Sequence, residues 1–478
     1  MEEKKETRGS ENSGEGLVNR ESGPAAPLGR KPMSRRQFIK VAGITGAAMG
    51  LGSFGGVLAG CGGDEASTTT EAGTGTTGAP SGATGREIKI GFVTPLTGPL
   101  AGFGVPDQYC VERWQEASAD GIMVGEVTHP VTFLVRDSQS DPNRAAQVAG
   151  DLINNDGIDL MLVASTPDTV NPVADQCEAM GMPCISNDTP WQPYFFGRGG
   201  TPDAGFKWTY HFFWGLEDVI EVFTDMWGQL DTNMVVGGLF PNDPDGNAWG
   251  DEETGLPPAL ANKGFTLIDP GRYQNGNDDF TAQITAFKNG DAELVTGVMI
   301  PPDFVTFWKQ AKQQNFNPKL ASVGKALLFP ESLEAIGEIG YGLTSEVWWT
   351  PMHPFKSSLT GESCEELAAE YTTRTGNQWS QPLLHYAVYE VAVDALSRTE
   401  DIDDKESIIA AIAATDMETI AGPVAWTGDP VPNVSKTPLV GGQWIRGEEY
   451  PYSLEIVSNA AAPMVETTAQ VKPLSEFA

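Results

Sequence analysis

The chain has 478 residues with 64 acidic and 30 basic side chains, which gives a formal net charge of −34 at pH 7. A surface this acidic repels nucleic acid and anionic lipid, so the composition argues against nucleic-acid binding and against electrostatic docking to a bilayer. The four histidines form no HxxxH pair, and the sequence has neither a G-x-S-x-G elbow nor a Walker sequence. We therefore predict no catalytic residue, no metal site and no cofactor.

The first predicted element is a targeting segment. The sequence SRRQFIK at 34–40 precedes a glycine-rich apolar stretch that ends in LAGC at 58–61. Adjacent arginines before a short apolar run are typical of a twin-arginine export signal, and LAGC is typical of a bacterial lipobox. We predict that 1–60 is a twin-arginine lipoprotein signal and that Cys61 carries the lipid. A transmembrane helix is the weaker alternative because the stretch is short, and whether the chain starts at Met1 or Met33 stays open.

A low-complexity stretch follows the lipobox. Residues 61–85 are rich in glycine, serine and threonine and have almost no aliphatic side chain before Ile88. Such a composition cannot bury enough apolar surface to offset its chain entropy, so we predict a flexible tether. The globular body then begins near Arg86, and its roughly 390 residues are enough for two lobes rather than one ordinary core.

Short apolar runs alternate with amphipathic segments throughout this body, and that alternation is typical of parallel sheets with crossover helices. The predicted strands cover 88–93, 131–137, 159–164 and 183–186, then 234–240, 265–269 and 293–299. The predicted helices follow Pro106 and Pro142, cover 171–180, 216–230, 279–289 and 302–314, and include one that runs up to Asn262. The fold class is therefore α/β with two tandem units, in which ligands bind beyond the carboxyl ends of the strands.

Few side chains outside those loop positions suggest chemistry. Asp141 precedes Pro142, so we predict that it caps a helix rather than serving as a metal or acid/base residue. The cysteines after Cys61 have irregular spacing that indicates neither a disulfide framework nor a zinc motif. Cys177 and Cys184 either pair or remain buried free thiols.

Taken together, six segments resemble a known family. They are IKIGFVTPLTGPLAGFG, VRDSQSDPNRAAQVAGDLI, VASTPDTVNPVADQCEAMGMPCIS, DDFTAQITAFKNGDAELV, AATDMETIAGPVAWTG and VGGQW. In this order they resemble the branched-chain amino acid (leucine/isoleucine/valine-binding-like) class of substrate-binding lipoproteins of ABC transporters. The resemblance implies a type I periplasmic binding protein: two Rossmann-like lobes with parallel sheets, joined by a three-segment hinge. Lobe one should hold 86–212 plus 351–421, and lobe two 213–350 plus 422–478.

The same resemblance implies the positions of ligand-binding residues. Phe103 matches the place of an aromatic side chain over the ligand. The polar loops after the third and fourth strands match a cradle for a carboxylate, and lobe two supplies an aromatic side chain and further loops. The implied residues are Phe103, Ser165, Thr166, Thr169, Ser186, Asn187, Thr189, Trp249, Pro301, Lys325 and Trp348. For the hydroxyl groups, capping of the following helix is the alternative reading.

Lys325 is a departure from the family pattern, because amino acid binders usually place a glutamate there for the ligand's ammonium group. A lysine would repel an α-amino group in a desolvated cleft. Either Asp303 or Asp188 takes over that role, or Lys325 points to solvent, or the ligand has a carboxylate or amide and no amine. Several tryptophans near the predicted cleft favour the last alternative, so our hypothesis is a cleft for aromatic or amide-type acids.

The resemblance implies a monomeric, non-enzymatic receptor that is held by its lipid at the outer face of the cytoplasmic membrane, or is periplasmic. It would pass a branched-chain or aromatic amino acid, or a related carboxylate or amide, to an ABC transporter permease with its ATPase subunits. The alternative is a ligand-binding sensory module that acts with a membrane signalling partner. An extracellular enzyme is the third class, and the sequence shows no paired nucleophile and base to support it.

Overall fold

In the computed structural model the described residues are 83–477, and within them one sheet is entirely parallel. We call it the first sheet. Its six strands, in spatial order, are Val434–Ser435, Thr209–Phe212, Cys184–Asn187, Leu160–Ala164, Ile88–Thr94 and Val131–Asp137. The strand Ile88–Thr94 has a parallel neighbour on each side and is almost wholly buried, which explains its mostly apolar sequence.

The second sheet has seven strands; the first five in spatial order are parallel, and the sixth pairs antiparallel with both the fifth and the seventh. In spatial order these are Thr266–Ile268, Val235–Leu239, Leu294–Val298, Leu320–Gly324, Thr344–Val347, Val440–Arg446 and Tyr452–Ser458. Two smaller sheets complete the set. One joins Ala83–Thr84, Val127–His129 and Ile122–Val124, and the other is the hairpin of Asp416–Thr419 with Gly422–Ala425.

The helices connect consecutive strands and pack their apolar sides on the sheets. Those after strands of the first sheet are Asp107–Ala117, Pro142–Asp151, Pro167–Met180, Trp191–Phe195 and Leu216–Gly228. The second unit contributes Pro244–Trp249, Leu256–Asn262, Thr281–Asn289, Pro301–Gln313 and Pro330–Ile336, and the later segment Cys364–Thr375, Tyr386–Arg398 and Lys405–Ala413. Within residues 83–477, no helix combines the length and apolarity that a membrane span needs.

Most predicted elements lie where the sequence pattern places them, and the predicted fold class is confirmed. Asp141 caps its helix by accepting a hydrogen bond from the Arg144 backbone N–H at 2.7 Å, with Pro142 at the first helical position. Cys177 and Cys184 are buried free thiols. The antiparallel pair of the second sheet has no counterpart among the predicted elements.

Two boundaries differ from the predicted domain layout. Ala83 and Thr84, at the end of the predicted tether, pair with Val127 and Thr128, because backbone hydrogen bonds extend a sheet edge regardless of side chain. The strand Val434–Ser435 pairs with the first sheet although it follows the predicted crossing at 421. The predicted signal 1–60, Cys61 and tether residues up to 82 lie outside the described residues.

Candidate ligand site between the two sheets

A narrow cavity of about 20 Å³ lies where the carboxyl ends of the parallel strands of the two sheets meet. Loops after strands of both sheets form its walls, as expected for open α/β sheets. From the first-sheet side it is lined by Phe103, Thr166, Asp188, Pro190, Phe213 and Trp214. From the second-sheet side and the connection that follows it, the lining residues are Asp245, Trp249, Val298, Lys325, Leu328, Glu346 and Trp348. At about 20 Å³ the space is close to that of a single water molecule and well below the ~300–1,000 Å³ of small-molecule sites.

Three loops reach the cavity through unusual backbone conformations. Ser165, Asp188 and Lys325 each follow the last residue of a strand directly, and they have φ values of 146°, 69° and 68°. A positive φ costs a non-glycine residue on the order of 1–3 kcal/mol and persists where the surroundings over-determine it. Such residues concentrate at ligand sites, and here two of the three line the cavity.

Aromatic side chains form much of the wall. Phe103 packs edge-on against Phe329 from the second-sheet side at a centroid distance of 4.9 Å, and Phe213 packs against Trp348 at 4.9 Å. The indole N–H groups of Trp214, Trp249 and Trp348 are buried and have no hydrogen-bond partner among residues 83–477. The cavity therefore offers stacking surfaces together with unused hydrogen-bond donors.

Lys325 lies at the centre of an ionic cluster that we call the second-sheet network. Its Nζ is 2.8 Å from Oδ2 of Asp245, 3.7 Å from Oδ2 of Asp243 and 3.4 Å from Oδ2 of Asp168. Asp168 belongs to a helix that follows a strand of the first sheet, so this last contact crosses the cavity. Burial by itself would lower the pKa of Lys325, but the three carboxylates outweigh it and raise this pKa well above the usual value.

A second cluster, the first-sheet network, consists of Asp107, His385 and Asp188. Nδ1 of His385 is 2.6 Å from Oδ1 of Asp107, and its Nε2 contacts Oδ2 of Asp188. Burial alone would lower the pKa of His385, but the two carboxylates raise it to about 10. The imidazole is thus cationic at neutral pH, and the network carries one net negative charge when both aspartates are ionised.

Two further carboxyl groups at the cavity have raised pKa values. Burial raises the pKa of Asp245 to about 6, although Lys325 opposes the shift. Burial likewise raises the pKa of Glu346 to about 7, against hydrogen bonds that favour its ionised form. Those bonds come from the Lys325 backbone N–H at 2.8 Å and the Ser345 hydroxyl at 2.9 Å. Among residues 83–477, no group of three or more His, Cys, Asp or Glu side chains is arranged to hold a metal ion.

Five of the sequence-predicted site residues line the cavity: Phe103, Thr166, Trp249, Lys325 and Trp348. Lys325 is only 4% exposed, so the alternative in which it points to solvent is wrong. Asp303 is outside the cavity lining and accepts hydrogen bonds from the Gly276 backbone N–H, whereas Asp188 does line the cavity.

The other predicted residues lie away from the cavity surface. The buried polar ones, Ser165, Thr169, Ser186, Asn187 and Thr189, are behind its wall. The Thr189 hydroxyl donates to the Ser165 carbonyl at 3.0 Å, whereas the Ser165 hydroxyl and the Asn187 side-chain amide are buried without a hydrogen-bond partner among residues 83–477. Pro301 lines a separate surface crevice next to Phe329.

Sequence reasoning missed several lining residues, above all Asp245 and Glu346. Glu346 is an acidic residue inside the otherwise uncharged strand Thr344–Val347, and that signal could have singled it out. Asp245 follows the capping residue Asp243 in a short helix and looks like an ordinary first-turn acid. His385 offered no such signal, because its partner Asp107 is 278 positions away.

Comparison with known proteins gives two family matches. A family described as "Periplasmic binding protein" matches residues 87–437, and the twin-arginine translocation signal sequence matches residues 32–52. The second match confirms the predicted type of export signal.

Solved structures with the same fold include a leucine-binding protein from Thermotoga maritima, with 19% identity, a TM-score of 0.61, and coverage of 78% of this chain and 99% of that one. A solute-binding protein of an ABC transporter from Rhodopseudomonas palustris, in complex with 3,4-dihydroxybenzoic acid, has 16% identity, a TM-score of 0.63, and coverage of 80% and 99%. A fatty acid ABC transporter substrate-binding protein from Thermomonospora curvata has 18% identity, a TM-score of 0.63, and coverage of 82% and 96%. Their named ligands differ widely, so the shared fold does not define the ligand.

Proposed function

The chain belongs to the periplasmic binding protein family and has its type I fold, and from this premise we propose that it captures a small solute for an ABC transporter. In this proposal the two sheets with their helices are two lobes, and the solute binds in the cavity between them. The permease then recognises the closed form, and no chemical reaction takes place.

The observation that carries this proposal is that both lobes build the same cavity. Phe103 packs against Phe329 beside it, and Lys325 reaches Asp168 across it. A solute that contacts both walls binds the closed arrangement better than the open one, so it shifts the population toward closure. We propose the five predicted residues that line the cavity, together with Asp188, Asp245 and Glu346, as the ligand-binding set.

The proposed location of the protein rests on its export signal and on the lipobox cysteine. The twin-arginine signal directs the chain to export, and we propose that lipid on Cys61 then holds the monomeric receptor near its permease. A tether raises the local concentration of the receptor without a permanent contact. The variant Cys61→Ser should be exported but recovered in the soluble fraction, whereas the unchanged protein should sediment with membranes; equal partitioning of both would contradict the anchor.

Solute capture is tested by combining calorimetry with small-angle scattering on the exported chain. Leucine, phenylalanine, benzoate and urea span the ligand classes that the sequence predicts. A solute that binds saturably should reduce the radius of gyration and remain chemically unchanged. Conversion of a bound solute to a product would contradict the proposal.

A pair of variants shows whether binding uses this cavity. Val298→Trp fills the space between the lobes and should abolish binding. Pro301→Ala changes the separate crevice and should leave binding intact. Equal binding by both variants would place the ligand elsewhere.

A further inference from the structure

The cavity walls carry more negative than positive charge. In the second-sheet network, Lys325 is the only cation and faces three carboxylates within 4 Å. In the first-sheet network, His385 lies between two carboxylates. Glu346 adds a further carboxyl group at the wall. Because buried charge without a partner is costly, this surplus favours a positive charge from outside the protein.

Two of these carboxylates each have one oxygen atom without a hydrogen-bond partner among residues 83–477. Asp188 and Asp245 are 4% and 3% exposed, and each uses Oδ2 to hold its protein cation. Their Oδ1 atoms are buried and find no hydrogen-bond partner within the described part of the chain. One such acceptor therefore stands on each side of the cavity, where it can receive an N–H or ammonium group of a solute.

The indole N–H groups give an independent indication of a ligand. Trp214, Trp249 and Trp348 are 3%, 0% and 1% exposed, and their ring nitrogens lack a partner anywhere in residues 83–477. All three line the same cavity. Their N–H groups can donate to an oxygen of the solute, and aromatic faces attract an organic cation through the ring quadrupole.

Part of the predicted carboxylate cradle is occupied by the protein itself, although the Ser165 hydroxyl there has no hydrogen-bond partner among residues 83–477. The hydroxyl of Thr166 donates to Oδ2 of Asp168 at 3.3 Å, and Asp168 is in the first turn of the helix Pro167–Met180. The positive end of this helix thus already faces a carboxylate. A ligand carboxylate placed there would be repelled by Asp168.

On the basis of the proposed solute-binding function, we infer that the cavity takes a small organic cation. The ligand is an amine or quaternary ammonium compound with a compact apolar body. Its cationic group lies between Asp188 and Asp245, and the tryptophans surround the rest. This inference reverses the sequence-based hypothesis of a carboxylate or amide without an amine.

Proton coupling offers a readout that does not depend on the identity of the cation. Burial raises the pKa of Asp188 and Asp245 to about 6 and that of Glu346 to about 7. The charged groups that face them are Asp107 and His385 on one side, and Lys325, Asp243 and Asp168 on the other. A bound cation stabilises the ionised carboxylates and lowers their pKa values, so binding near neutral pH should release protons.

The experiment compares solutes that share a body and differ in charge. The first series is 3-methylbutylamine, leucine and 4-methylpentanoate; the second is 2-phenylethylamine, phenylalanine and 3-phenylpropanoate. Choline and its uncharged isostere 3,3-dimethylbutan-1-ol form a third comparison. Calorimetry with the exported chain, in EDTA and in two buffers of different ionisation enthalpy, gives affinity and proton release together.

We expect at least one cation to bind about tenfold or more tightly than its zwitterionic, anionic or neutral counterpart, with proton release. Tighter binding of a zwitterion or carboxylate, with closure of the lobes, would overturn the inference while leaving the solute-binding function intact. Failure of every compound to bind or to close the lobes would instead count against the solute-binding function.

Variants of two cavity carboxyl groups test whether the preference for a cation arises in this cavity. Asp245→Asn and Glu346→Gln keep side-chain size and should reduce the preference for the amine over its zwitterion about tenfold. Because this preference is a ratio within one protein, a loss of stability does not mimic it. Asp120→Asn changes an exposed acid away from the cavity and should leave the ratio unchanged. Unchanged ratios in both cavity variants would overturn the assignment.

Discussion

The first-sheet and second-sheet networks differ in their placement, because one lies on a single side of the cavity and the other spans it. Both bury a cation among carboxylates at the cavity wall. In the first-sheet network all three members pack on one side of the cavity, so the cluster survives if the lobes move apart. In the second-sheet network, Lys325 also reaches Asp168 on the opposite side, so this contact would be lost if the two sheets separated as the proposed function requires. One network therefore lies entirely on one side of the cavity, and the other spans it.

The largest effect is expected from His385→Gln, which removes the cation of the first-sheet network. Asp107 and Asp188 would then be buried side by side without compensation, which should lower the free energy of unfolding by about 3–5 kcal/mol. Denaturant unfolding at neutral pH measures this loss. The double variant His385→Gln with Asp188→Asn should recover much of it, and equal stability of the two variants would show that the ion pair is unimportant.

The same network should give the unchanged protein a distinctive pH dependence. Its His385 has a folded pKa of about 10, whereas an unfolded histidine titrates near about 6.5. The stabilisation is therefore complete below about pH 6.5 and is lost as the pH rises toward 10, at up to about 1.4 kcal/mol per pH unit. Denaturant unfolding over this range should show the slope, and His385→Gln should flatten it. Equal slopes would contradict a cationic His385.

Lys325→Met tests the second-sheet network. Three carboxylates lose their shared cation, and we expect the free energy of unfolding to fall by about 3 kcal/mol, near the low end for a broken buried pair because Asp168 is partly exposed. Small-angle scattering should also show a more open form. Lys207→Met removes a lysine from an exposed pair with Glu406 and should change little. Equal effects of the two variants would contradict a central role for Lys325.

Trp249→Ala tests the cavity that both networks border. This indole is fully buried, lines the cavity and packs near Phe223 at a centroid distance of 6.1 Å. We expect ligand binding to weaken by more than about 1 kcal/mol because an aromatic anchor is lost. Trp208→Ala, away from the cavity, serves as the control in calorimetry. An unchanged dissociation constant for Trp249→Ala would show that this indole belongs to the core alone.

The smallest effect is expected from Asp168→Asn, which weakens only the contact across the cavity. Lys325 keeps Asp243 and Asp245, so the free energy of unfolding should hardly change. Closure should become less favourable by roughly 0.5–1 kcal/mol, seen as a two- to fivefold rise in the dissociation constant. A large loss of stability would show that Asp168 belongs to the permanent part of the network.

Much of the fold follows from local sequence patterns. The apolar run at 88–93 predicts the strand Ile88–Thr94, and that at 159–164 predicts Leu160–Ala164. Burial on both faces leaves a continuous apolar run, which is visible without knowledge of the rest of the chain. The strand Val434–Ser435 has only two residues and depends on its neighbour Thr209–Phe212, so no local pattern could reveal it.

The site was predictable in part for a related reason. Phe103, Thr166 and Lys325 follow predicted strands or match family loops, and loops after parallel strands gather at one edge. Which side chain faces the cavity depends on how the two sheets meet. Thus Thr189, in an equally suitable loop, turns its hydroxyl to the Ser165 carbonyl instead.

The sequence by itself determined the export signal, the α/β alternation and the edge at which the candidate site lies, because these depend on residues close together in the chain. Only the tertiary structure decided the charge of the site. Asp107 and His385 are 278 positions apart, and Lys325 and Asp168 are 157 apart. Burial joins such groups into networks, and electrostatic interactions across a water-poor cavity depend on these distances in space rather than on separation along the chain.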